Sequence, residues 1–342
     1  MKPVLVTGAD GFVGRHLVET LRAAGRPVLA LDMHFAPTEA GGLPADVARH
    51  VGTVTDRELM VRLCAEAGAV IHAAAIAHLW AERPGAHDAV NHEGTTAVAE
   101  AALAAGIRMV LVSSYTTLVA ESTVPGSVLT EAEAHPPEAL LGPYPASKRR
   151  AELAVEAAAV RGLDAVTVLP SAPVGPGDHG LTPPARMILD LARGATPAIV
   201  GTEIDIVEVR ALASGIVAAL DRGRAGERYI LSGEGVTLAR LAGMVAARMG
   251  RRAPSVKVPF VVALAAAHVE ERIGTLIGRA PTAPLTGVRL ARRRVKLDSG
   301  HARASLGFRA PPAEQAVMAA LDWFMDEGML ARPAAEAVRE RA

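Results

Sequence analysis

A tyrosine and a lysine four residues apart are the side chains of this 342-residue chain best suited to proton transfer. The segment GPYPASKRRAE contains Tyr144 and Lys148, and a helix that begins near Pro143 would place both on one face. A free phenol is almost fully protonated at neutral pH, but a lysine ammonium beside it favours the phenolate and lowers its pKa. The spacing therefore predicts a general base for alcohol oxidation, or a general acid for ketone reduction.

Two serines follow an apolar run upstream of that pair. In MVLVSSYTT, Ser113 and Ser114 come where a strand would end. A hydroxyl at that position can hydrogen-bond a substrate oxygen as charge develops on it, although a Ser-Ser pair could also simply end the strand. Ser114, Tyr144 and Lys148 together form a candidate catalytic trio.

The first fourteen residues, MKPVLVTGADGFVG, predict a cradle for phosphate groups. The glycines Gly8, Gly11 and Gly14 follow a short apolar strand and would allow a tight turn, close approach of a pyrophosphate and close helix–strand packing. The following helix N-terminus offers free N–H groups and a partial positive charge. Asp32 ends the next strand, where a carboxylate hydrogen-bonds ribose hydroxyls and repels the extra phosphate of NADP. The pattern therefore predicts NAD, with NADP disfavoured.

An alternating α/β frame must position these residues. Strands are predicted at Val4–Val6, Val28–Leu31, Ala69–Ile71, Met109–Val112 and Ala165–Leu169, and helices at Val13–Ala24, Val90–Ala105 and Ala146–Val160. Such alternation predicts a doubly wound parallel Rossmann sheet with its ligand at the carboxyl ends of the strands. The pattern changes after about residue 170. We therefore expect an NAD-binding core at 1–170 and a smaller, mostly helical substrate lobe at 171–342, with segments that return to the core.

Composition narrows the class of protein. Lys plus Arg and Asp plus Glu number 36 each, so no basic excess indicates a nucleic-acid partner. The single cysteine, Cys64, excludes an intrachain disulfide and a multi-cysteine zinc site, and its helical context predicts a buried position. No metal site is predicted from His72, His78, His87 and His92. The N-terminus lacks the apolar stretch of a signal peptide and no apolar run is long enough to span a membrane, which favours a cytoplasmic protein.

Taken together, the motifs resemble the extended short-chain dehydrogenase/reductase superfamily. The matching pieces are TGADGFVG, Asp32, VIHAAA, NHEGT, VSSYTT, YPASK, PVGPGD and, near the C-terminus, LDSGHARASLGFRAP. Within the superfamily, GPYPASKRRAE, LPSAPVGPGD and the tail are most similar to the dihydroflavonol-reductase-like group. That group includes the hopanoid-associated proteins called sugar epimerases and 3β-hydroxysteroid dehydrogenase-like reductases.

The resemblance implies a catalytic role for Ser114, Tyr144 and Lys148, with Asn91 supporting the hydrogen-bond network on the lysine side. Aligned with nucleotide-sugar epimerases instead, Tyr115 falls at the serine position. A homodimer is usual for such proteins. The implied cofactor contacts are Gly8, Asp10, Gly11, Phe12, Val13, Gly14, Asp32, Thr53, Val54, Ala73, Ala74, Ala75, Ser113, Tyr144, Lys148, Pro170, Ala172 and Val174.

Departures from the family pattern bear on the substrate. Gly52 is followed by Thr53 where an aspartate often reaches the adenine, so Thr53 or Asp56 would serve. The loop Ser171-Ala172-Pro173 lacks the asparagine usual near a sugar diphosphate, and VEVRA replaces H-V-D-D. A buried diphosphate without polar partners is unfavourable, which favours a smaller or more apolar substrate.

These observations predict an NAD-dependent oxidoreductase that transfers a hydride between the nicotinamide and a secondary alcohol or ketone. An epimerase or dehydratase of a sugar or sugar nucleotide, with a tightly held and recycled NAD, needs the same trio. A non-catalytic NAD-sensing protein would not need it.

The segment Pro259–Ile277 contains an apolar helical stripe. We expect core packing there; a wall of the substrate pocket or peripheral contact with membrane lipid are the alternatives. Basic residues follow the segment, and they would form either a solvated, salt-bridged face or a site for anionic groups. They are Arg289, Arg292, Arg293, Arg294 and Lys296.

Overall fold

The computed structural model describes residues 1–37, 42–81, 83 and 85–333. Its strands are β1 (Val4–Thr7), β2 (Val28–Asp32), β3 (Ala48–Val51), β4 (Ala69–His72), β5 (Arg108–Val112), β6 (Val128–Leu129), β7 (Ala165–Pro170), β8 (Ala172–Val174), β9 (Ala198–Val200), β10 (Glu203–Glu208), β11 (Arg228–Leu231), β12 (Glu234–Thr237), β13 (Val256–Val258) and β14 (Lys296–Leu297). Its α-helices are α1 (Phe12–Ala23), α2 (Arg57–Glu66), α3 (Thr95–Ala105), α4 (Pro143–Val160), α5 (Pro183–Arg193), α6 (Val209–Arg222), α7 (Leu238–Arg248), α8 (Phe260–Ile277), α9 (Leu285–Arg293), α10 (Gly300–Leu306) and α11 (Ala313–Asp326).

The central sheet has the order β11-β7-β5-β4-β1-β2-β3 across the described residues, and every neighbouring pair is parallel. Apolar side chains of α1 and α6 cover one face, and those of α2, α3 and α4 cover the other. Both faces are therefore buried, which explains the nearly continuous apolar runs of the inner strands. The predicted doubly wound parallel sheet is confirmed. Its strand order reverses between β1 and β4, which leaves a crevice at their carboxyl ends.

The five predicted strands are all present, and each extends one residue beyond its predicted bounds. The predicted helix Val90–Ala105 is different at its start, because a π-helical stretch, Asp88–Gly94, precedes α3. Gly94 packs so closely on Val54 that an added Cβ would lie 2.6 Å from a Val54 methyl carbon. Wide turns of this kind often mark functional positions in helices.

The second half of the chain forms a smaller sheet and contributes to the large one. Strands β12, β10 and β8 form a three-stranded sheet against which α5, α7 and α11 pack. Strand β11 pairs with β7 and completes the central sheet from beyond residue 170. The division into 1–170 and 171–342 stays a prediction, and residues 334–342 lie outside the described part of the chain.

Helix α8 does not pack into the core, so that expectation for Pro259–Ile277 was wrong. Among its residues only Ala267 and Gly274 are buried, whereas Val261 is 79% and Leu276 is 84% exposed. Both of these buried residues are small. A carboxylate of the helix anchors the loop to α9, since Glu271 accepts a hydrogen bond from the Leu285 N–H at 2.8 Å. The expected burial of Cys64 in a helix is confirmed in α2. No helix of the described residues is long and apolar enough to cross a membrane.

Candidate active site

Helix α4 holds the tyrosine and the lysine in fixed positions. The helix follows Gly142, whose φ of +125° few other residues adopt, and begins with Pro143 at its first position. Tyr144 and Lys148 then lie one turn apart, with 8% and 2% of their surfaces exposed. The sequence spacing and the observed helix therefore agree on one shared face.

Ser114 lies just beyond β5 and hydrogen-bonds the Tyr144 hydroxyl. Its Oγ also accepts hydrogen bonds from the backbone N–H of Thr116 at 3.3 Å and from the Thr116 hydroxyl at 3.0 Å. The neighbouring Tyr115 is partly buried and lines the same cavity. Of the two residues considered for the serine position, Ser114 is the one whose hydroxyl hydrogen-bonds Tyr144 in this structure.

Burial shifts the pKa values of Lys148 and Tyr144. The Lys148 ammonium donates to the Val112 carbonyl at 2.8 Å, and burial lowers its pKa to about 8. Burial raises the pKa of Tyr144, while its hydrogen bond with Ser114 acts in the opposite direction. On balance the pKa of Tyr144 is raised in this structure, because desolvation of the phenolate outweighs the hydrogen bond with Ser114. The lowering of the phenol pKa by Lys148 together with the nicotinamide stays a prediction.

The glycine turn fits a phosphate-bearing cofactor. Gly8 has a φ of +67°, and a Cβ there would lie 2.7 Å from the Ala74 Cα. A Cβ on Gly14 would lie 1.9 Å from the Gly8 carbonyl oxygen. Gly11 is exposed and no side chain caps the helix N-terminus, so the first N–H groups of α1 at Phe12 and Val13 face an open cradle.

Asp32 ends β2 beside this cradle, and its carboxylate is fixed by the backbone. It accepts hydrogen bonds from the N–H of Asp10 at 2.9 Å and from that of Met33 at 2.7 Å. Asp10 in turn accepts from the Ala36 N–H at 2.8 Å and pairs with Arg15 at 3.2 Å. A carboxylate is thus held where the sequence predicted the ribose contact.

The remaining expected cofactor contacts lie along the carboxyl edge of the sheet. Ala73, Ala74 and Ala75 follow β4, Thr53 and Val54 follow β3, Pro170 ends β7, and Ala172 and Val174 belong to β8. Asp56, the alternative adenine contact, instead caps α2 by accepting from the Leu59 N–H at 3.0 Å.

Two of the expected site residues hydrogen-bond side chains of α4. The Ser113 hydroxyl donates to the buried Glu152 carboxylate, so this side chain is engaged with α4. Asn91 does not bond Lys148; its amide donates to the Ser147 hydroxyl at 3.0 Å and accepts from the Ile76 N–H at 2.8 Å. Asn91 therefore supports the lysine through its neighbour on α4.

The ring of His72 is buried and held by hydrogen bonds within the fold. Its two ring nitrogens lie 2.7 Å from the Thr7 hydroxyl and 2.9 Å from that of Thr95, and burial lowers its pKa to about 3. His87 bonds the carbonyl of His78 at 2.8 Å. The described residues contain no group of three His, Cys, Asp or Glu side chains arranged for a metal.

A cavity of about 420 Å³ opens beside the trio. Its walls are largely apolar, and α8 contributes none of them. Sequence reasoning missed one of its polar residues, Asp205 on β10, because no motif surrounds it. In the basic cluster, Arg293 pairs with Glu121 at 2.9 Å while Arg294 lines the cavity, so only part of the cluster is salt-bridged.

Comparison with known proteins identifies the family. The family model for the NAD-dependent epimerase/dehydratase family matches residues 4–232. The chain belongs to this family. The resemblance to extended short-chain dehydrogenases and to the dihydroflavonol-reductase-like group is thereby confirmed, and NAD-dependent chemistry is the property of this enzyme family.

Several known proteins resemble this chain over nearly its whole length. A dihydroflavonol 4-reductase-like protein of Synechocystis sp. is 34% identical over 94% of this chain and 94% of its own length. Sterol demethylase protein B of Methylococcus capsulatus is 30% identical over 95% of this chain and 99% of its own. The crystal structure of the protein gox2253 has a TM-score of 0.82 and 33% identity, covering 96% of this chain and 99% of that one.

Proposed function

We propose that the protein is an NAD-dependent oxidoreductase that transfers a hydride between the nicotinamide and a secondary alcohol or ketone. The observation that carries the proposal is the hydrogen-bonded pair of Ser114 and Tyr144, one helical turn from Lys148, at the wall of an apolar cavity. When bound, NAD supplies the hydride acceptor, and NADH the donor.

The side chains divide the work on the substrate oxygen. Ser114 already accepts two hydrogen bonds from Thr116, so its own proton is available to the substrate oxygen or to Tyr144. Tyr144 exchanges a proton with that oxygen. Because burial raises its pKa, the phenol is protonated at neutral pH and suited to donate to a ketone. Lys148, anchored on the Val112 carbonyl, stabilises the resulting phenolate by its positive charge.

NAD is the proposed cofactor rather than NADP. The Asp32 carboxylate is held at the end of β2 by two backbone N–H groups. A carboxylate in that place accepts ribose hydroxyls and repels an added phosphate. Gly8 and Gly14 support the assignment, since any larger residue would fill the turn.

The substrate is proposed to be largely apolar. Ser171 and the first residues of β8, Ala172 and Pro173, line the cavity and offer no cationic group for a sugar diphosphate, although Arg294 lines the cavity elsewhere. The names of the two relatives, a dihydroflavonol reductase and a sterol demethylase, also indicate ring systems that are largely apolar.

Tyr144→Phe tests the proposed role of the phenol. We expect NAD affinity to be kept, while turnover of a ketone panel with NADH falls by roughly 10²–10⁴-fold, because the proton donor is gone. Tyr229→Phe is the control; it removes a hydroxyl that bonds Glu227 away from the cavity and should keep near-wild-type turnover. Substantial residual activity in Tyr144→Phe would refute the assignment.

Retention of the nucleotide separates this proposal from a recycling epimerase or dehydratase. The freshly purified protein is denatured, and the supernatant is analysed for nicotinamide nucleotides by mass spectrometry. An empty protein that binds added NAD reversibly supports the oxidoreductase. Near-stoichiometric NAD would instead favour the epimerase or dehydratase.

A further inference from the structure

Asp205 is an acidic side chain in the wall of an otherwise largely apolar cavity. It belongs to β10 and lies opposite Gly235 of β12 in the antiparallel register. A Cβ on Gly235 would lie 2.8 Å from Asp205 Oδ1. Because residue 235 is a glycine, the space that a Cβ would fill is available to the Asp205 carboxylate.

The Asp205 carboxylate has few partners within the protein. The backbone N–H of Leu297 hydrogen-bonds it, and Lys296 adds a favourable charge. Among the described residues no Lys, Arg or His nitrogen is recorded within 4.0 Å of it. Burial and the negative charge of Glu203 raise its pKa to about 6. A half-buried carboxylate with this little compensation retains unused capacity to accept hydrogen bonds.

The surroundings of Asp205 relate it to the proposed reaction centre. Burial raises the pKa of Tyr115, and both Asp205 and Tyr144 raise it further, so Tyr115 lies near each of them. Most of the remaining wall is aliphatic and includes Leu79, Val119, Met187, Leu238, Val288 and Leu290. One cavity thus joins the proposed proton donor, an aliphatic wall and the Asp205 carboxylate, with Glu203 and Arg294 also in its wall.

We infer that Asp205 accepts a hydrogen bond from a hydroxyl group of the substrate, remote from the reacting carbon. The substrate class is then an apolar ketone or secondary alcohol that carries a second hydroxyl. This inference rests on the proposed function, because it takes the cavity beside Tyr144 as the substrate site. A carboxylate or phosphate in the same place would be repelled by Asp205.

The inference can be tested with three probes that share one carbon chain. They are a medium-chain methyl ketone, the same ketone with a terminal hydroxyl and the same ketone with a terminal carboxylate. Equilibrium dialysis in the presence of NAD measures their affinities for wild type, Asp205→Leu, Asp205→Asn and Asp221→Asn. Asp221 is an exposed carboxylate paired with Arg26, and serves as the matched control. NAD binding and circular dichroism check that each variant is folded.

We expect wild type and Asp221→Asn to bind the hydroxyl probe roughly tenfold to a hundredfold more tightly than the plain ketone, since the acceptor is charged. Asp205→Leu should lose this preference, and Asp205→Asn should keep part of it because an acceptor oxygen remains. The inference would be overturned if wild type bound the hydroxyl probe and the plain ketone equally, or if the preference survived in Asp205→Leu. It would also be overturned if the carboxylate probe bound most tightly or if no probe bound.

Reduction of the bound ketones is measured separately, by NADH consumption. Preferential binding without any reduction would leave the role of Asp205 supported and refute the proposed oxidoreductase function. Reduction of the ketones without preferential binding of the hydroxyl probe would support the oxidoreductase function and refute the role of Asp205.

Discussion

Burial of Lys148, a proposed catalytic residue, carries an energetic penalty. It is 2% exposed, and its pKa is about 8 against an ordinary value of 10.5. Below about pH 8 the residue is charged in both the folded and the unfolded chain, so the penalty of burying the charge is fully present. Between about pH 8 and 10.5 the unfolded chain binds more protons, and folding becomes more favourable as the pH rises.

Lys148→Met should therefore stabilise the free protein while abolishing most turnover. We expect the free energy of unfolding to rise by roughly 1–2 kcal/mol near pH 7, after allowance for the lost hydrogen bond to Val112. The gain should shrink as the pH approaches 10.5. Urea unfolding at several pH values measures it, and a loss of stability at pH 7 or a gain independent of pH would contradict the burial argument.

Asp32 is expected to determine the choice of cofactor. Asp32→Ala should weaken NAD binding by roughly tenfold or more, because hydrogen bonds to a charged acceptor are lost, and should relax discrimination against NADP. Asp32→Asn keeps an acceptor oxygen for the N–H of Asp10 or Met33 and removes only the charge, so it isolates the repulsion of phosphate. Calorimetric titration with both nucleotides tests this expectation. An unchanged ratio of NAD affinity to NADP affinity in both variants would refute the ribose assignment.

At the scale of elements, α4 is fixed to the sheet by a buried charge. Glu152 is 1% exposed and pairs with Arg149 and with Arg228 of β11, at 3.1 Å each. It also accepts hydrogen bonds from Ser113 and from Thr117, the latter at 2.8 Å. The carboxylate thereby ties the helix that carries Tyr144 to the segment that carries Ser114.

Glu152→Ala should destabilise the protein by about 3–5 kcal/mol, because two arginines lose a buried counter-charge. Turnover of the folded fraction should fall more than NAD affinity, since the glycine cradle lies on other elements. Glu100→Ala is the control: its pair with Arg161 is exposed, and its loss should change stability by less than about 1 kcal/mol. Equal effects of the two variants in urea unfolding would show that the Glu152 network is not structurally important.

The sequence predicted those elements whose signal is local. The central strands are visible because apolar, β-branched runs persist over four to six residues, and the shared face of Tyr144 and Lys148 follows from helical geometry. Contacts between distant segments leave no such signal. The Ser113 hydroxyl hydrogen-bonds Glu152, which is 39 residues away in the sequence. Asp205 lines the cavity because the smaller sheet places it there. Helix α8 was misjudged because an apolar stripe does not reveal what covers it.

At the scale of the whole molecule, the parallel sheet gathers residues from separate elements at one edge. The glycine turn follows β1, Asp32 ends β2, Ser114 follows β5 and Tyr144 lies in the first turn of α4. The strand order reverses between β1 and β4, and a ligand in that crevice can contact all of these elements at once. Binding of the cofactor should therefore stabilise the whole fold rather than one loop.

This coupling predicts a thermal shift that depends on the glycine cradle. For protein free of resident nucleotide, NAD at a hundred times its dissociation constant should stabilise the fold by about 2.7 kcal/mol, which raises Tm by roughly 5 °C. Gly14→Ala should lose the shift, because its methyl group would lie 1.9 Å from the Gly8 carbonyl oxygen. Gly243→Ala, in α7 with open space around it, should keep the shift and be slightly more stable. An identical shift in Gly14→Ala, or none in the wild type, would mean that NAD does not occupy this cradle.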